Sequence, residues 1–179
     1  MGSYMLYDRT YMQEHLARFV RPKSRTLERS LLSVLDALSS GTEVSRKDLD
    51  ATAQGASDKR QNIYHASTEV LGEIAEKDER AMLLIREMSD AKLAHIRHNA
   101  LLCLNSEIPT HESVSIIRKS LADKSSRVRT KAADWAGRLD LRILVPDLKA
   151  ALRIEDDEEV ADELRYSLRE LTKKSKSNN

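Results

Sequence analysis

The sequence predicts an all-α protein arranged as a short α-solenoid, with about four stacked helical hairpins behind an N-terminal helical cap. Three observations predict it. The 179 residues are 33% charged and only 4% aromatic, with five glycines and three prolines, a balance that suits helices better than sheets. The chain also resembles itself: "DKRQNIYHASTEVLGEI" at 58–74, "DAKLAHIRHNALLCLN" at 90–105 and "DKSSRVRTKAADWAGRL" at 123–139 align, and "DDEEVADELRYSLREL" from Asp156 continues the series. Within each copy, apolar residues recur at offsets of four, seven and eight, which is one face of a helix.

The leading aspartates Asp58, Asp90, Asp123 and Asp156 lie 32, 33 and 33 residues apart, and the first apolar anchors Ile63, Ile96, Val128 and Val160 lie 33, 32 and 32 apart. Deeper in each copy Ser67, Ala100, Ala132 and Leu164 are equivalent, as are Val70, Cys103, Trp135 and Ser167. Ahead of these helices the spacing predicts shorter amphipathic ones at 80–88, 112–121 and 143–152. "SRKDLDATA" at 45–53 would complete the earliest pair, but its apolar face holds only Leu49, Ala51 and Ala53, which leaves helix and irregular chain both open. A unit of two antiparallel helices buries its stripe only by stacking on its neighbours. Upstream, 11–20 and 25–41 read as two helices, broken at Pro22 and ended at Gly41, that cap the first repeat. The expected organisation is a cap at 1–44, an array at 45–172 and a disordered polar tail at 173–179.

The order "SIIRKSLADKSSRVRTKAADWAGRL" resembles HEAT-like repeats: an apolar helix, then Leu, Asp, a short polar stretch, Val-Arg and a second, Ala-rich helix. The resemblance spans about residues 45–172 and is strongest over 80–153. Ankyrin repeats need a Thr-Pro-Leu-His-type turn and tetratricopeptide repeats need aromatics, neither of which is supplied here. The likeness implies a fold and is nearly silent on activity. It implies that Asp90 and Asp123 pair with Arg97 and Arg129 of the helices they precede, the flanking copies having Tyr64 and Ala161 in the arginine place. It also implies that the second helices line a concave surface.

Thirty basic against 29 acidic side chains leave a net charge of +1, so bulk electrostatics gives no reason to expect nucleic acid or an anionic membrane. Locally the picture differs. Residues 118–131 hold Arg118, Lys119, Lys124, Arg127, Arg129 and Lys131 against the single acid Asp123, and 155–163 holds seven acids in nine residues. Two readings are open: neighbouring repeats attracting each other over ordinary solvated faces, or a docking surface for a charged partner. The repeat register sets His65, His98, Thr130 and Asp162 in one column and Glu69, Leu102, Asp134 and Tyr166 in another. Such mixed columns suit a protein or peptide partner better than a catalytic centre. The expected partner-binding residues are therefore His65, Glu69, His98, Leu102, Arg118, Lys119, Lys124, Arg127, Lys131, Asp134, Asp162 and Tyr166. Trp135 reads either as packing within a hairpin or as an exposed binding anchor.

No Gly-rich phosphate loop, GxSxG or apolar carboxylate pair is present, so no catalytic residue is assigned. Cys103 is the only cysteine, which excludes an intramolecular disulfide and reads as a small buried hydrophobe in a reducing compartment. His95 and His98 share a helix with Arg97 between them and lack a completing ligand set; no metal and no cofactor is expected. No stretch approaches the roughly 18 apolar residues of a spanning helix, and no signal-peptide core is seen, so a cytoplasmic protein off the membrane is expected. The reading that follows is a non-catalytic interaction module or scaffold, a monomer or weak dimer, that binds a protein partner. Small HEAT-like proteins similar to it include scaffolds, assembly factors and immunity proteins that block a toxin. The alternative is DNA binding of the kind found in the HEAT-like alkylpurine DNA glycosylases; the basic run favours it, and the near-zero net charge and single Trp oppose it. A bilin-lyase-like role rests on fold resemblance alone.

Overall fold

The computed structural model describes residues 13–173. Residues 13–15 are α-helical and run into a π-helical turn. After them come nine further α-helices and, among the described residues, no strand: α1 (Arg25–Ser40), α2 (Arg46–Ala56), α3 (Gln61–Ala75), α4 (Glu79–Ser89), α5 (Ala94–Leu102), α6 (Thr110–Ser120), α7 (Ser126–Arg138), α8 (Val145–Ile154) and α9 (Glu158–Lys173). The π-helical turn, Leu16–Val20, precedes α1, and a 3-10 turn at Arg142–Leu144 leads into α8. Tyr11 and Met12 of the first expected helix, and the expected tail beyond Lys173, lie outside the described residues.

Local chemistry sets the ends. The Ser24 hydroxyl accepts the Leu27 amide at 3.1 Å to start α1, and Gly41, at φ 65°, stops it in the left-handed conformation that glycine adopts without strain. At the open stretch 45–53 the chain is helical. The Ser45 hydroxyl accepts the Asp48 amide at 3.2 Å and donates to the Asp48 carboxylate at 2.7 Å, a cap that nucleates α2 where the apolar stripe is thin. The stripe is also wider than Leu, Ile and Val reveal, because Thr52, Gly55 and Ala56 are buried too. A Cβ on Gly55 would collide with Ser67 Oγ of α3, so glycine here permits the close approach of two helices.

The chain divides into two compact units, one ending at Ile85 and one beginning at Arg86, with the division inside α4. In the first, α1, α2 and α3 pack on one another and the π-helical turn packs on α1 and α3. Leu16, Leu31, Val34, Ile63, Val70 and Leu71 form its fully buried centre. In the second, α5, α7 and α9 lie side by side in that order, with α6 against α7 and α8 against α9. Its centre is Leu101, Ile117, Val128, Leu144, Leu148 and Leu164.

Arginines join the copies of the second unit, but not as expected. Arg97, 8% exposed, donates to Asp123 at 2.6 and 2.7 Å and to the carbonyls of Ala91 and Lys92, both at 2.9 Å. Arg129 repeats the arrangement, with Glu155 at 2.7 and 2.6 Å and the Asp123 carbonyl at 2.9 Å. Each arginine therefore ties the carbonyls of its own turn to the acid of the following turn, and does not pair with the carboxylate of the aspartate before its own helix. The cause is that a helical side chain leans back toward the N-terminus, which brings the guanidinium to its own turn's carbonyls and the next copy's carboxylate. Asp90 is instead engaged by Lys119. The carboxylates also hold their turns, Asp123 accepting the Ser125 amide at 2.8 Å and Glu155 the Asp157 amide at 3.1 Å. Glu155, and not Asp156, is thus the counterpart of Asp123.

A second link recurs. The Trp135 indole donates to the Leu101 carbonyl, and Ser167 Oγ donates to the Ala133 carbonyl at 2.8 Å; each donor reaches 34 residues back to the preceding second helix. Trp135 is half-buried and bonds across copies, not between the helices of its own pair.

Candidate interaction surface

The basic run of 118–131 is largely neutralised by its neighbours. Arg118 bonds Asp147 at 3.0 and 3.3 Å, Lys119 bonds Asp90, Arg129 bonds Glu155, and Lys131 bonds Asp134 at 2.9 Å. Lys124 and Arg127 are exposed and form no ion pair among the described residues. Three of the six cations therefore bind acids of adjacent copies and Lys131 binds within its own helix, while Lys124 and Arg127 stand outside these pairs.

The columns fare unevenly. His65 is exposed and lies 3.5 Å from the half-buried Glu69, both in the first unit. His98 departs from the expectation: it is 6% exposed, inside a run of five consecutive buried residues from Arg97 to Leu101. Burial first, with Arg127 and Lys131 adding to it against a hydrogen bond to Asn99, drives its pKa down to about 4, so the imidazole is neutral near pH 7 and serves packing. Leu102 and Asp134 are half-buried, Asp162 is exposed and bonds Arg165 at 2.7 Å, and Tyr166 is 54% exposed.

Around α7 and α9 these residues become a surface. Helix α7 has α5, α6 and α9 as neighbours, which leaves it one open stripe: Arg127, Lys131, Asp134 and Arg138. Asp134 sits between Lys131 at 2.9 Å and Arg138 at 2.6 Å, and the two cations lie 5.7 and 5.3 Å from the Trp135 ring centre. Burial alone would raise the Asp134 carboxyl, but the hydrogen bonds and charges of Arg138 and Lys131 outweigh it and hold it below the usual range. The matching stripe of α9 is Glu159, Glu163, Tyr166 and Glu170. Burial, then the Asp134 charge, raises the Glu163 carboxyl, against the Ser167 hydrogen bond and the charges of Lys131 and Arg138. A cationic row thus flanks an anionic row, with Trp135 and Tyr166 at mid-height. Sequence reasoning missed Arg138, Glu159, Glu163 and Glu170, although each stands at the offset its row requires.

Burial pushes the Cys103 thiol up, and its sulfur donates to the Asn99 carbonyl at 3.4 Å. Among the described residues no group of three or more His, Cys, Asp or Glu side chains could hold a metal ion. Two shallow grooves lie beside α6, one lined in part by His111, Val114, Ser115 and Ile143 and the other by Leu121 and Ile154. No helix among the described residues is long and apolar enough to cross a membrane.

One carboxylate outside the predicted set is strongly shifted. Glu73 on α3 is half-buried, and burial first, then Glu76 and Glu69, raises its pKa from 4.5 to about 7. The folded state thus holds a proton that the unfolded chain releases between those values. Its contribution is fully present below pH 4.5 and is lost as pH rises through about 7. We expect Glu73→Gln to flatten the fall in stability across that interval by about 1 kcal/mol after solvent screening, read from urea midpoints at successive pH values. Parallel pH profiles of the two proteins would show the carboxyl to be unperturbed.

No protein-family model matches the chain, and no curated protein matches it.

Proposed function

We propose that the chain is a non-catalytic interaction module of HEAT-like repeats, which binds a protein partner through the open face of its second helices. The repeat reading is supported by links that recur at constant offset: Arg97 and Arg129 each reach an acid 26 residues on, and Trp135 and Ser167 each reach a carbonyl 34 residues back. The observation that carries the binding reading is the α7–α9 surface, where opposite charges are sorted into two adjacent rows, the exposed Tyr166 standing within the anionic row and the half-buried Trp135 on the α5 side of the cationic one. Protein interfaces favour that combination of an aromatic centre and a polar, charge-complementary rim.

Affinity capture from the native cell with the tagged chain, followed by mass spectrometry, tests the reading. Lys124 and Arg127 are the informative positions, because reversing Arg118 or Lys119 would break the links to Asp147 and Asp90. Lys124→Glu with Arg127→Glu is expected to lower recovery of the partner by at least about tenfold with helical content unchanged. Recovery that survives both this double variant and Tyr166→Ala would remove the surface from consideration.

A further inference from the structure

The rows on α7 and α9 are also in register. Their heads are tied together by Arg129 and Glu155 at 2.6 Å, and farther along Ser167 Oγ meets the Ala133 carbonyl at 2.8 Å, so the two helices run side by side in one direction. At the second, sixth and thirteenth positions α7 has Arg127, Lys131 and Arg138, where α9 has Glu159, Glu163 and Glu170. The ninth positions are Asp134 and Tyr166, and Ser167, the tenth of α9, meets Ala133 and Gly137, the eighth and twelfth of α7.

We propose that this face binds a second copy of the chain, about a two-fold axis that runs parallel to α7 and α9 and midway between them, so that α7 of each copy lies over α9 of the other. That operation keeps the register. Arg127 then faces Glu159 of the second copy, Lys131 faces Glu163 and Arg138 faces Glu170, each pair formed twice, while Tyr166 covers the Asp134–Trp135 level. A two-fold axis across the helices would instead set α7 on α7 and α9 on α9, like charge on like. The charges therefore select one of the two face-to-face isologous arrangements. The rows span about 17 Å along the helices and about 18 Å across them, about 300 Å² per copy and well short of the roughly 800 Å² per partner of a stable interface, so the dimer is weak and dependent on concentration and salt. The inference rests on the reading of this face as a protein-binding surface and names its partner.

Sedimentation velocity of the full chain up to the millimolar range tests it. The association constant is expected to fall at least about tenfold between about 0.05 M and about 0.5 M salt. Arg127→Glu with Arg138→Glu makes one variant; Glu159→Arg with Glu170→Arg makes the other. Each alone should be monomeric, since its altered row meets a like row in a second copy, and their equimolar mixture should form a heterodimer, since every altered pair is then complementary. A wild-type chain that stays monomeric at low salt overturns the proposal, as does a dimer that survives in both variants or a mixture that fails to associate. Circular dichroism of each variant establishes that it is folded. Capture of a foreign protein that depends on Lys124 and Arg127, from a chain that never self-associates, would end the inference and leave the interaction-module reading standing.

Discussion

Arg97→Ala is expected to destabilise the second unit by about 3–5 kcal/mol, the largest single-residue effect predicted for this protein. The side chains of Arg97 and Asp123 are only 9% and 10% exposed, so the substitution leaves a buried carboxylate with no countercharge. It also strands the carbonyls of Ala91 and Lys92, which lose their Nη1 donor. Arg97→Lys keeps the charge but not the fork that serves four acceptors, and should recover only part of the loss. Hydrogen exchange in α5 and α7 reads the effect directly and separates it from the first unit. Its pH dependence identifies the cause. Burial would raise the Asp123 carboxyl, but Arg97, the Ser125 amide and Lys124 outweigh it and hold it below its ordinary value. That contribution is present above the ordinary pKa and is lost as pH falls, whereas the carboxylate stranded in the variant is relieved by protonation. The gap between the two proteins should therefore narrow below about pH 4. A gap that is constant down to pH 3 would mean that lost packing, and not the stranded charge, sets the cost.

Leu148→Ala is expected to cost about 2–5 kcal/mol and to loosen α8 before the rest of its unit. Leu148 is fully enclosed and is the only buried residue of that helix, while its neighbours Lys149 and Ala150 are exposed. The apolar docking of α8 thus centres on one side chain, with the enclosed Leu144 of the preceding 3-10 turn, the half-buried Ala151 and Leu152, and the Arg118–Asp147 pair as lesser contacts. Leu148→Met, which nearly conserves volume, should cost less than about 1.5 kcal/mol. Amide exchange across Val145–Ile154 that rises in the alanine variant but not in the methionine variant would fit this account. Uniform loss of protection through α6 to α9 would show instead that α8 opens only with its whole unit.

The order of helices was legible because α3, α7 and α9 each carry the helical apolar period, and their starts at Gln61, Ser126 and Glu158 keep the spacing of the sequence copies. What periodicity could not supply was chemistry outside its alphabet. Helix α2 depends on the Ser45–Asp48 cap and on Gly55 as a contact residue, neither of which adds to an apolar stripe. His98 was read as a surface group from its column in the repeat register, yet α5 is buried from Arg97 to Leu101, and the Arg97-His98-Asn99 run is enclosed there because each side chain finds a partner. The partner of Arg97 was out of reach for a different reason. An alignment of copies shows which residues are equivalent, not which of them touch, and the contact with Asp123 is set by how far one copy is displaced along the next. Similarly, Asp156 aligns better than Glu155, but only the latter bonds Arg129. Within the candidate surface, Asp134 and Tyr166 were found through their column and Lys131 through the basic run, while Arg138 and the glutamates of α9 were passed over because a charged residue on a charged helix carries no signal until its neighbour's charge is seen beside it.

The forward reach of Arg97 and Arg129 has a consequence for how such a chain can lengthen. A block of 32 residues cut anywhere between those two arginines contains one donor and one acceptor, as 98–129 contains Arg129 and Asp123. Inserted again in tandem, it would present Arg129 of the first copy with Asp123 of the second at the same 26-residue distance, so the seam would be as well joined as its parents. Ala161, in the arginine place of α9, has no such hand to offer. Growth by gene duplication is thus permitted in the middle of this unit and has to be invented anew beyond α9.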